Sequence, residues 1–222
     1  MADSEFEASR FYWNRPVPSY GKAAVAVFCR RFHKILQPAR VRSLHYLNFG
    51  CGPNVHTNFI NLDYCWGRQI DICCDISDGL PLEAQSIDGI FTEHCLEHVT
   101  FEACGRVLKE CRRIMRQGAT LRIVVPDAGR FAELYMQSVS GKAVTFPGAG
   151  EFPAYTPMMH VNRIFRDYGH LFAYDAQTLA KLLETSGFTE VAPCSYRQGR
   201  DPKLLIDTCY REAESLYIEA YT

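Results

Sequence analysis

The chain has no block of basic residues, and its formal net charge is −1. That argues against a surface built for nucleic acid, and no such partner is expected. No apolar run is long enough to cross a bilayer, so no membrane partner is expected either. The opening stretch, MADSEFEASR, is acidic and polar and lacks the basic and apolar regions of a secretory leader. There is no CxxC, and no Cys/His pair recurs at zinc spacing. The ten cysteines that are present mostly sit in apolar strands or on helix faces. They read as reduced, buried thiols, which behave as small hydrophobes and point to the cytoplasm. Internal repeats, low-complexity tracts and linkers are also missing, so the 222 residues read as a single domain.

What is there is an alternation of short apolar runs and helical patterns. Strands are expected over about 44–49, 58–63, 70–74, 88–92, 121–125, 188–195 and 215–220. Helices are expected over 22–37, 101–117, 128–140 and 175–186, with shorter ones at 161–168 and 203–211. In the first helix Ala24, Val27, Phe28, Arg31, Ile35 and Leu36 give a partly apolar face, and Pro38 stops it. In the second, Cys104, Val107, Leu108, Cys111, Ile114 and Met115 share a face, and Gly118 stands where a C-terminal cap belongs. Asp175 is an N-cap, with Gly187 just past that helix's end. Residues 141–158 are rich in Gly and Pro and read as irregular. Such alternation implies an α/β fold with a mostly parallel sheet covered on both faces. The aromatic N-terminal stretch with Phe11, Tyr12, Trp13 and Tyr20 reads as a docked segment, or as a lid over a pocket.

The most informative stretch is Tyr46–Asp63, YLNFGCGPNVHTNFINLD. A buried strand ends abruptly at Gly50 and Gly52, where a missing Cβ lets a ligand approach the backbone. A second strand ends on Asp63, placed to accept hydrogen bonds from a ribose diol. A dinucleotide site would need a third Gly, a helix at the pyrophosphate and an acid about 20 residues on. Here Pro53 follows the second Gly, and the acid comes eleven positions after Gly52. A ribose site without a phosphate-binding helix suits S-adenosylmethionine better than NAD.

LNFGCGP, FINLD, Asp75 with LPL, and EHCLEH stand in the order of a known family. The chain resembles a class I S-adenosylmethionine-dependent methyltransferase of the small type 11 group, over roughly residues 44–126. The resemblance implies a Rossmann-like sheet of seven strands in the order 3-2-1-4-5-7-6, the last antiparallel, with helices on both faces. It also implies an internal division. Residues 1–40 form an N-terminal segment and helix, 41–126 the cofactor-binding core, 141–174 an insertion walling the substrate pocket, and 175–222 the C-terminal part of the sheet. S-adenosyl-L-methionine is the implied cofactor. Its binding residues would be Asn48, Phe49, Gly50, Cys51, Gly52, Leu62, Asp63, Asp75, Ile76, Glu93 and His94. Asp75 would accept from the adenine amino group while the Ile76 amide reaches a ring nitrogen. Asn48 is a departure, since the wider class often has an acid there.

Two further groups carry candidate chemistry. His94 and His98 are four apart and share a face on a helical turn. That is also metal-ligand spacing, but the sequence shows no third ligand, and a sulfonium donor needs no metal. No metal is therefore expected. His98, His94 and His170 are candidate bases, since imidazole titrates near neutrality. His160, Arg163, Tyr168 and Tyr174 are candidate substrate-binding residues in the insertion, with Arg163 suited to a carboxylate or phosphate. The expected function is methyl transfer to a small-molecule nucleophile. The alternatives are a methyltransferase of RNA or protein, and a non-catalytic scaffold that keeps the fold. Oligomeric state is not legible.

Overall fold

The computed structural model describes residues 20–31, 35–149 and 154–222. Seven strands form one sheet: β1 (Tyr46–Phe49), β2 (Ile60–Asp63), β3 (Ile72–Cys73), β4 (Ile87–Glu93), β5 (Met115–Pro126), β6 (Glu190–Cys194) and β7 (Ser215–Tyr221). Their order is β3-β2-β1-β4-β5-β7-β6, as the resemblance implies. The first five pair in parallel, and β7 runs antiparallel to both β5 and β6. The helices are α1 (Tyr20–Arg31), α2 (Pro38–Ser43), α3 (Phe101–Ile114), α4 (Ala128–Val139), α5 (Pro157–Arg166) and α6 (Ala176–Thr185).

The main core lies between one sheet face and helices α3 and α6. Leu47, Phe49, Leu62, Ile90 and Ile123 meet Val107, Leu108, Leu179 and Leu183 there. On the other face α1 packs Ala26 and Cys29 against Cys73. Further across, Phe59, Phe91, Val124 and Tyr217 are covered by Leu204 from the chain before β7. Asp175 caps α6 by accepting from the Thr178 amide. Cys65 and Cys209 are exposed, while the other eight cysteines are buried or half-buried.

Three sequence expectations change. The first helix does not run to residue 37: Ile35 forms an antiparallel bridge with Ile72, and the Leu36 amide donates to Asp71. Its buried residues are Ala26 and Cys29, whereas Ala24, Val27, Phe28 and Arg31 are exposed. The run AVAVF is apolar on every side, so periodicity alone does not choose the buried face. The helix expected over 101–117 ends at Ile114, and Gly118 is not its cap. Gln85 and Ser86 amides take the carbonyls of Arg113 and Ile114, and the Gln85 side chain takes that of Met115. Met115 already pairs with Ile87 in the sheet, and Gly118, at φ +78°, lies inside β5. Residues 203–211 form no continuous helix, only 3₁₀ turns at Pro202–Leu204 and Cys209–Glu214. Phe11, Tyr12 and Trp13 lie outside the described residues, as does the Tyr20 side chain.

Candidate functional site

The tips of β1, β2 and β3 lie side by side at the carboxyl end of the sheet, where open α/β sheets bind ligands. After Phe49 the chain turns on Gly50 and Gly52, both at positive φ (+66° and +52°). The Gly50 and Cys51 amides both donate to the Leu62 carbonyl, at 2.8 and 3.1 Å, which folds the loop onto β2. A Cβ on Gly50 would stand 2.2 Å from Cys95 Sγ, so two constraints demand glycine there. Around Gly52 the opposite holds. Nothing lies within 4 Å of the place a Cβ would take, leaving open space against the backbone.

Asp63 closes this loop. Its Oδ2 accepts from the Gly52 amide at 2.7 Å and its Oδ1 from the Cys65 amide at 2.7 Å. Each oxygen keeps a second lone pair for an incoming hydroxyl. Asp75 sits at the end of β3 and caps the Ile76–Asp78 turn through Ser77 N at 2.9 Å. Asn48 is buried. Its amide donates to the Asn54 carbonyl at 2.8 Å and to Asn61 Oδ1 at 3.2 Å. Asn61 in turn holds the amide and carbonyl of His56. These two amides do the work of the missing crossover helix: they satisfy the backbone of an irregular connection. The Cys51 thiol is buried beside Ile70 and Cys73, and burial pushes its pKa up. Glu93 is occupied by Thr208, whose amide and hydroxyl both donate to it.

Past β4 the chain turns through His94, at φ +49°, into the Leu96–His98 3₁₀ turn. The Glu97 side chain is 1% exposed. Its Oε1 lies 3.6 Å from His94 Nδ1, 3.8 Å from His98 Nε2 and 3.9 Å from His170 Nε2. The Glu97 carbonyl accepts from the Leu171 and Phe172 amides, which docks the insertion onto this turn. Three histidines, 76 positions apart from first to last, thus meet at one carboxylate. Burial pushes the His94 pKa down to about 2, with Arg211, His170 and His98 adding to it, so this ring is neutral. Its Nε2 meets Ser215 Oγ at 2.8 Å. Sequence reasoning missed Glu97 as the centre. The only available signal was an acid directly before His98, in a segment entering a buried turn.

The insertion's other candidates are placed differently. His160 is buried in α5, stacked on Phe146 at 4.5 Å between ring centres. Arg163 donates to the Gly148 carbonyl and the Tyr168 hydroxyl, both at 3.0 Å, and so braces the insertion. Tyr168 is half-exposed with φ +60°. Tyr174 lies fully inside the main core, its ring against Phe172.

The comparisons with known proteins bear on the fold. A family model described as a methyltransferase domain, type 11, matches residues 54–123. No protein of curated function matches the chain in sequence. Among solved structures, an S-adenosylmethionine-dependent methyltransferase from Archaeoglobus fulgidus superposes with a TM-score of 0.51 at 17% identity, over 90% of this chain and 94% of that one. Another from Thermotoga maritima gives 0.50 at 15% identity, over 95% and 98%. Residues 54–123 thus match a methyltransferase-domain model, and the fold is that of these two solved structures. Among the described residues no helix is long and apolar enough to cross a membrane.

Proposed function

We propose that this chain transfers the methyl group of S-adenosylmethionine to an oxygen, nitrogen or carbon atom of a small molecule. The observation that carries the reading is the meeting, at one end of the sheet, of the open glycine loop, two strand-end acids and the His94–His98 turn. Asp63 would take the ribose hydroxyls on its remaining lone pairs. Asp75 and the Ile76 amide would face the adenine, and the backbone of Gly50–Gly52 would lie along the methionine half, with Phe49, Leu62 and His94 around it. The bound donor supplies an activated sulfonium. What remains for the protein is alignment of nucleophile, carbon and sulfur. His98 and His170 would take a proton from a hydroxyl or amine, and His94 would orient Glu97. The insertion, with His160, Arg163 and Tyr168, would wall the substrate side.

Calorimetric titration with S-adenosylmethionine tests this. Binding in the micromolar range is expected. Asp63→Ala should weaken it by about 2 kcal/mol, because a charged acceptor is lost and the Gly52 amide is released. No binding at millimolar donor would leave a scaffold that keeps the fold.

A further inference from the structure

Glu97, His98 and His170 each offer one ligand atom, and these atoms all lie within 4.8 Å of one another. The sequence reading expects no metal because HxxxH lacks a third ligand. The fold supplies a carboxylate and a histidine from 72 positions downstream of His98. The ring nitrogens settle which atoms face inward. His170 Nδ1 meets the Ile164 carbonyl at 2.8 Å, and His98 Nδ1 meets the Gly169 carbonyl at 3.4 Å. A carbonyl only accepts, so both Nδ1 atoms carry hydrogen. Both Nε2 atoms then lie on the Glu97 side, 3.8 and 3.9 Å from its Oε1. Metal-binding histidines are typically fixed by such a carbonyl on the opposite nitrogen.

The distances fit a shared ion better than direct hydrogen bonds, which do not extend to about 3.6 Å and beyond. Ligand atoms around a tetrahedral zinc with bonds of about 2.0–2.1 Å sit roughly 3.4 Å apart, so a small swing of the imidazoles closes the site. The His98 side chain is 22% exposed and gives an entry path, whereas those of Glu97 and His170 are 1% and 6% exposed. Two imidazoles and one carboxylate suit a divalent transition metal and not magnesium or calcium.

The geometry points to a divalent transition-metal site formed by Glu97, His98 and His170, with coordination positions left open for an oxygen-bearing substrate. Its role in catalysis rests on the methyltransferase reading; its existence does not. A metal beside the donor pocket would bind a substrate hydroxyl and lower its pKa, favouring an oxygen nucleophile among the three proposed above.

The test uses the full chain stripped with chelator and titrated with Co(II). One equivalent should bind with visible d–d absorption and without the near-ultraviolet band of a thiolate ligand. His98→Asn and His170→Gln should each weaken binding by more than about tenfold, the least that loss of an orienting partner costs. X-ray absorption of the zinc-loaded wild type needs no variant. A nitrogen/oxygen shell at about 2.0–2.1 Å with imidazole scattering supports the site. Absence of binding, unchanged affinity in both folded variants, or a sulfur shell from the cysteines overturns it. Donor titration of the same metal-free sample reports separately on the methyltransferase reading.

Discussion

Two buried clusters of charge lie in this molecule, and they are built differently. Beneath the 195–208 segment, Arg122 is fully buried and its guanidinium is saturated. It makes a bidentate pair with Asp207 at 2.7 and 2.6 Å, reaches Glu219 at 3.1 Å, and donates to the Ser195 and Gln198 carbonyls at 3.0 Å. Both acids accept further protein donors: Arg197 N on Asp207, and Arg200 N and the Tyr221 hydroxyl on Glu219. At the carboxyl end of the sheet, Glu97 is as deeply buried, yet its three histidines stand 3.6–3.9 Å away. The first cluster is closed by its own atoms and fastens a loop to a sheet face. The second holds three imidazoles 3.6–3.9 Å from a carboxylate oxygen. Burial of charge alone does not mark a functional site.

The comparison breaks most visibly at Arg122. Arg122→Met should cost about 3–5 kcal/mol in urea unfolding, since it strands two carboxylates where water cannot reach them. Affinity for S-adenosylmethionine in the protein that stays folded should not change. A loss under about 1 kcal/mol, or a parallel loss of affinity, would mean the two clusters are not separate.

Gly50→Ala sharpens the same contrast from the other side. The added Cβ meets Cys95 Sγ, and the φ of +66° is already unfavourable for alanine. Cys95 leads directly into the Glu97 turn. The expected cost is about 3 kcal/mol in stability, from overpacking and backbone strain, together with weakened donor binding. Unchanged donor affinity would show that the loop and the histidine turn are uncoupled.

The strands are legible because each carries its own signal, an apolar run with a breaker after it, whereas their order in the sheet comes from the family resemblance alone. The glycine loop and Asp63 were legible for the same reason: their spacing is local. The two charge clusters were not. Arg122 stands inside the apolar run LRIVV, and its partners Asp207 and Glu219 come 85 and 97 positions later. Glu97 and His170 are likewise joined only by the insertion folding back on the β4 turn. Asn48 illustrates a subtler case. Where the wider class often has an acid, its amide clamps a connection that has no helix. Helix ends were misplaced where partners distant in sequence, Gln85 and Ser86 for α3, took over the capping.

The smallest effect is expected at a surface pair that resembles the Arg122 cluster in chemistry but not in burial. Arg113 grips both oxygens of Glu110 at 2.9 and 2.8 Å and donates to the Leu80 and Leu82 carbonyls. These hydrogen bonds, Arg113 first and then the Leu80 amide, hold the Glu110 carboxyl below its ordinary value of 4.5 against partial burial. A pKa lowered by folding stabilises the native state above the unfolded value. That contribution disappears as pH falls through the lower folded value. Stability curves of wild type and Glu110→Gln should therefore differ at pH 7 and converge as the pH falls through the lowered folded value. Both partners are about one-third exposed, so solvent screening limits the gap at pH 7 to about 0.5 kcal/mol. A gap of several kcal/mol would mean that exposure does not separate this pair from the Arg122 cluster, and the contrast between closed and solvated charge would need another basis.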